Sequence, residues 1–417
     1  MYFENSSVVV CGDTDNNVQS SQIPIPNCFL PLLYINCLTL PQKQFNNDKM
    51  NQRYLSLDIF RGITIAGMIM VNNSGNSEYT YAPLRHAHWH GFTPTDLVFP
   101  SFMFIVGVAM RFSLKPFNYQ LTPDLRNKIL KRTALLFLVS YIIFNIPWYN
   151  FDISRLRILN VLQRIALAFC TVSFIVLTVE RKYLPYLAVG ILLLYWAIMW
   201  FMGDRGVEYE LLSNAERKFD LLVLGPNHLY HGEGVAFDPE GILSTLPAFV
   251  NMLLGYLTGI YIQEANENIL PRIKKMALSG FGLMILALIW DIVFPINKKL
   301  WTSSFVLITV GLDLIILSVL VWIIDLKGST KWTKFFHVFG MNSIFAYGIS
   351  EVFAIVFGLI PVAEGDSKIS FSDWLYWHLF HPIFGNANGA LAYAISFVLL
   401  CWFFSWILYR KKIFLKV

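Results

Sequence analysis

Apolar runs recur ten times between residues 54 and 409, each of about 20 residues, the length a helix needs to cross a bilayer. Hydrophobic residues make up 56% of the 417-residue chain and charged ones only 14%, against roughly 25% charged in soluble domains. So few charges cannot cover a globular surface of this size, which excludes a soluble fold. Nor does the net charge of +5 make a nucleic-acid binder. Lys and Arg sit at the ends of the apolar runs, which is how a membrane protein fixes its orientation. Hydrocarbon offers no partner for backbone polar groups, so every run must be a helix. The expectation is an all-α polytopic membrane helix bundle whose first partner is the lipid bilayer.

The expected spans are 54–73, 95–113, 132–148, 157–179, 183–202, 242–262, 276–294, 302–325, 336–360 and 389–409. With the N-terminus in the cytoplasm, alternation from residue 51 onward leaves 20 Lys and Arg on the cytoplasmic side and nine on the other. That bias supports about ten helices with both termini cytoplasmic. Residues 50–417 then form one transmembrane domain. Residues 1–49 read differently: rich in Asn, Ser and Pro, without Lys or Arg before Lys43, and with an apolar stretch too short to span. A disordered or mis-assigned N-terminal extension is favoured over a cleaved targeting segment. Cys11, Cys28 and Cys37 fall in that extension, while Cys170 and Cys401 lie inside apolar runs, so no disulfide or zinc framework is expected.

Polar residues inside spans need a partner or a task. Asp58 and Arg61 are three apart in the first span and can pair on one helix face. Gln163 and Arg164 lie about 10 Å below the outer boundary at the helical rise, too deep for easy snorkelling. Asp313 and Glu351 are buried acids, and either could answer Arg164 or serve a transporter as a proton carrier. The segment Arg85-His86-Ala87-His88-Trp89-His90 joins the first two spans on the extracytoplasmic side. Alternate histidines could ligate a metal, but no Cys or carboxylate cluster completes a site, so no metal is expected. Trp89 could anchor the loop at headgroup depth. A catalytic reading assigns one imidazole as a general base, with Asn72 orienting it or holding a reacting carbonyl.

These residues carry a resemblance. Arg53-Tyr-Leu-Ser-Leu-Asp58-Ile-Phe-Arg61-Gly62, Val71-Asn72, His86-Ala-His-Trp89 and Thr95-Asp96-Leu-Val-Phe-Pro100 come first. Asn160-Val-Leu-Gln163-Arg164, Phe237-Asp238-Pro-Glu240-Gly241, Asn297-Lys-Lys-Leu-Trp301 and Gly340-Met-Asn342-Ser343 follow in order. The chain resembles the heparan-α-glucosaminide N-acetyltransferase family over nearly all of 53–412, and its compact form is similar to bacterial members.

The resemblance implies an enzyme that takes acetyl-CoA from the cytoplasmic side and acetylates an amino sugar or glycan fragment across a bacterial inner membrane. It implies His86 and Asn72 as the active-site pair, and a homodimer. Trp89, Asp96, Glu240 and Glu351 would face the acceptor. Arg61, Gln163, Arg164 and Asn342 would line the donor path, with Arg61 or the basic 126–132 segment on the phosphates. Asp238 is expected to cap the helix starting near Ile242. A direct ternary complex and an acetyl-histidine intermediate both remain open, as do O-acetylation of envelope glycans and sugar transport.

Overall fold

Two central helices organise the bundle. In the computed structural model, which describes residues 54–144, 154, 156–264, 269–365 and 367–415, α1 spans Leu55–Asn72, α2 Pro94–Ser113, α3 Pro123–Phe144 and α4 Val161–Thr178. Next come α5 (Leu184–Met202), a short α6 (Ala215–Leu224), α7 (Thr245–Gln263), α8 (Leu270–Asp291) and α9 (Ser303–Leu320). The chain continues with α10 (Lys334–Met341), α11 (Ser343–Leu359), the hairpin β1 (Pro361–Glu364) and β2 (Ser367–Ser370), then α12 (Phe371–Leu375), α13 (His381–Phe384) and α14 (Asn386–Arg410). The strands pair antiparallel, Pro361 opposite Ser370. Residues 53–417 cluster as one unit. The N-terminal extension and its three cysteines lie outside the described residues.

Among the described residues eight helices are long and apolar enough to span a membrane, and α10 with α11, bent by 86° at Asn342, passes the same test only as a pair. The tenth expected span is the apolar half of α3, whose first half carries Asp124, Arg126, Lys128, Lys131 and Arg132. Its expected last residues, 145–148, lie outside the described residues. The chain is an integral membrane protein.

Burial separates centre from rim. The spanning windows of α2 and α7 are each 72% buried inside the protein, those of α5 and α8 only 28% and 22%. Outward side chains such as Phe201 on α5 and Leu278 on α8 are more than two-thirds exposed. In water that surface would drive aggregation, whereas against lipid it costs nothing. At the centre, helices approach through glycine. A Cβ at Gly107 of α2 would overlap the Met252 carbonyl of α7, and one at Gly255 of α7 would overlap that of Phe104. Gly62 and Gly340 let α1 cross α10 in the same way. Without a hydrophobic drive between helices in lipid, such close backbone contact is what holds them.

Candidate active site

Asp96 is the hub at one end of the bundle. Pro94 opens α2, where its missing N–H costs nothing, and this sets Asp96 in the first turn with its carboxylate turned back onto the preceding loop. Its Oδ2 accepts hydrogen bonds from the backbone N–H of Thr93 (3.0 Å), the Thr93 hydroxyl (2.9 Å) and the N–H of Ala87 (3.1 Å). Its Oδ1 lies 2.7 Å from Nδ1 of His86. Asp96 is fully buried, while the His86 side chain keeps 42% of its surface exposed. One wall of the pair is fixed and the other is open.

The three histidines diverge. His90 faces Asn297 at 3.3 Å and Glu210 at 3.5 Å, and the carbonyl of His88 accepts from Lys299 Nζ at 2.9 Å. Among the described residues no group of His, Cys, Asp and Glu is gathered as metal ligands. Trp89 donates through Nε1 to the Tyr209 carbonyl at 2.9 Å and packs edge-on against Phe237. It locks the loop into the protein.

Sequence reasoning missed Lys298. Its Nζ lies 3.0 Å from Nδ1 and 3.3 Å from Nε2 of His86, and 3.8 Å from Asp96. The signal was available, since Lys298 stands in a singled-out motif on the side of the membrane expected to be poor in cations. Partial burial pushes the His86 imidazole below its ordinary value; the hydrogen bond it donates to Asp96 opposes this, and Lys298 and Lys299 add to it. Burial likewise lowers the Lys298 ammonium, against the pull of Asp96 and Glu240.

Several other expectations meet different partners. The Asn72 carboxamide lies beside the Glu351 carboxyl of α11, as does Tyr347, and among the described residues no hydrogen bond joins Asn72 to His86. Asp238 is no helix cap. Its carboxylate takes a two-pronged grip from Arg157 at 2.9 and 2.6 Å, with Glu240 joining at 2.7 Å, and α7 begins only at Thr245. The α6 helix, absent from the sequence reading, supplies Asp220 to the Ile242 N–H at 3.1 Å, and burial pushes that carboxyl up to about 7.

Neither Asp313 nor Glu351 answers Arg164. The guanidinium is fully buried, bonds the Ser244 hydroxyl and the Gly241 carbonyl, and lies 5.0 Å over the Trp301 ring, while Asp313 takes Ser101 instead. Gln163 accepts from Ser140 at 2.6 Å. Asn342 holds the C-terminal segment with both ends of its amide, giving to Ile413 O at 3.1 Å and accepting from Leu415 N at 3.0 Å.

Toward the other end of α1, Arg61 pairs with Asp58 at 2.8 Å, as the spacing predicts, and donates to the Gly340 carbonyl at 2.7 Å. Arg132 lies over the Phe169 ring at 4.2 Å, and its buried Nε lacks a partner among the described residues. Between the two ends lies a small apolar cavity lined by Ile65, Met68, Phe102, Leu162, Ile165 and Tyr347.

A helical bundle in lipid, with a His–Asp pair held by the loop before α2 and a small apolar cavity among its helices, is, as a class, a polytopic membrane protein. The comparisons name the class more closely. The profile of the catalytic region of heparan-alpha-glucosaminide N-acetyltransferase matches residues 53–287, and the chain belongs to that family. The human heparan-alpha-glucosaminide N-acetyltransferase is 31% identical over 421 residues, covering 88% of this chain and 60% of the relative. The mouse protein of the same name is 28% identical over 420 residues with the same coverage. This chain thus spans about three-fifths of the length of the curated relatives it matches.

Proposed function

We propose that this chain moves an acetyl group from cytoplasmic acetyl-CoA to the amino group of a glucosamine-type sugar on the extracytoplasmic side. The observation that carries this reading is the His86–Asp96 pair, buried on its aspartate side and open on its imidazole side. The bias of basic residues supports the sidedness. On the donor side, Arg61 and the under-partnered Arg132 suit phosphates, and the small apolar cavity marks where a slender pantetheine arm would have to part the helices. Glu351, Tyr347 and Asn72 continue that line toward the outer end.

The donor supplies a thioester carbonyl; the remaining work falls to side chains. Asp96 accepts from His86 Nδ1–H and so leaves the lone pair on Nε2. His86 Nε2 takes a proton from the sugar amine as nitrogen attacks the acetyl carbon. The C–N bond forms, the C–S bond breaks, and His86 returns the proton to the departing thiolate. Its depressed pKa leaves the imidazole neutral at pH 7, with Nε2 free to accept a proton. Gln163 and Arg164 hold the helix wall beside this path, and Glu240 stands with Arg157 at the acceptor rim.

Purified protein in liposomes, given labelled acetyl-CoA, should label glucosamine and not N-acetylglucosamine. His86→Ala should lose transfer and keep acetyl-CoA binding. An acetyl ester on N-acetylglucosamine would instead establish an O-acyltransferase, and sugar flux without acetyl-CoA a transporter.

A further inference from the structure

Two consecutive lysines in the Asn297–Trp301 turn go to different places. Lys299 is satisfied by the His88 carbonyl and by Glu233 at 2.7 Å. Lys298 has only His86 and Asp96 within reach among the described residues, and its side chain is 21% exposed. The turn that aims it is over-determined. Asn297 Oδ1 accepts from Leu300 N at 2.9 Å, and Thr302 Oγ1 from Asn297 N at 3.0 Å. Gly91 N donates to the Ile296 carbonyl at 2.8 Å, tying the turn to the histidine loop. Trp301 is held at φ +50°, a left-handed conformation that a bulky residue adopts only under constraint.

We infer that Lys298 is a further catalytic residue, the donor that stabilises the oxyanion formed when the amine adds to the acetyl carbonyl. This rests on the reading of His86 as the base. An amine poised for proton transfer must come within about 3 Å of Nε2. The carbonyl it attacks then stands beside an ammonium already 3.3 Å from that nitrogen. As the C–N bond forms, the carbonyl π electrons pass to oxygen, where Lys298 meets the charge. Collapse restores the carbonyl and expels the thiolate, which receives the proton His86 took from the amine. The charged groups facing His86 are Asp96 from α2 and Lys298 and Lys299 from the turn, and Glu240 also acts on Lys298.

The test is kcat for acetyl transfer to glucosamine by full-length Lys298→Met, Lys298→Arg and Lys299→Met proteins, with acetyl-CoA binding confirming the fold of each. Lys298→Met should lose kcat by about 10²–10³-fold with acetyl-CoA affinity retained. Its acid limb in the pH profile should move to higher pH, because a cation opposing the imidazolium has gone. Lys298→Arg should recover at least tenfold of the loss, and Lys299→Met should lose at least tenfold less than Lys298→Met. Equal losses at the two lysines, or a Lys298→Met enzyme within threefold of wild type, would overturn the assignment while leaving His86 as base. A wild-type protein without acetyl transfer would overturn the reading of His86 itself.

Discussion

Asp96→Asn separates the hydrogen-bonding of the site from its fold. An amide offers one acceptor and one donor group where the carboxylate offers two acceptors. The Oδ2 position meets three donors, from Thr93 N, Thr93 Oγ1 and Ala87 N, so the Asn oxygen must stay there. The NH2 group then faces His86 Nδ1, which must become the acceptor and hand its proton to Nε2. The base is gone although every atom has kept its place. In a serine-protease triad the same exchange costs about 10⁴-fold in kcat. Here the ring is 42% exposed and water can partly support the productive tautomer, so a loss of about 10³-fold is expected. Stability should fall by about 1 kcal/mol, since the three bonds at Oδ2 survive and a weaker neutral bond to Nδ1 replaces the charge-assisted one. Single-turnover transfer from labelled acetyl-CoA to glucosamine in detergent measures the first, and thermal melting the second. An Asp96→Asn enzyme within tenfold of wild type, with normal acetyl-CoA binding, would show that the tautomer argument is wrong.

Because the His86 pKa lies below its ordinary value of 6.5, the neutral base persists below that pH. The acid limb of kcat/KM should therefore fall on the acid side of 6.5, and a limb above it would contradict the assignment. Arg132→Met should raise the KM for acetyl-CoA by about tenfold or more, the worth of one charge-assisted bond, with kcat retained; an unchanged KM would remove Arg132 from the donor mouth. Gly107→Leu should drive a side chain into the Met252 backbone and destabilise the α2–α7 crossing by about 1–3 kcal/mol. A melt in detergent would show it, and an unchanged midpoint would mean that the helices separate freely there.

The spans were legible because their cause is local. Twenty apolar residues in a row fix a helix in lipid whatever surrounds them, and α1, α2, α4, α5, α7, α8, α9 and α14 lie within a few residues of the expected runs. The same logic, which asks each charge in a span for a partner, found the Asp58–Arg61 pair, since i and i+3 share a helix face. It failed at α3, where cationic residues delayed the expected start, and at the 86° bend between α10 and α11, where Asn342 ties down a segment about 70 residues away.

Sequence alone, then, determined the all-α membrane architecture and the family likeness, and it singled out the 85–90 loop for the proposed chemistry. Which groups meet there was decided by tertiary structure. Lys298 reaches His86 across 212 residues, Arg157 rather than a helix end takes Asp238, and Asn72 turns to Glu351. Hydropathy and spacing report on the solvent around a segment and on neighbours within one turn. Contacts between loops depend instead on how the helices beneath them pack, and that packing is set by the glycine crossings of the whole bundle.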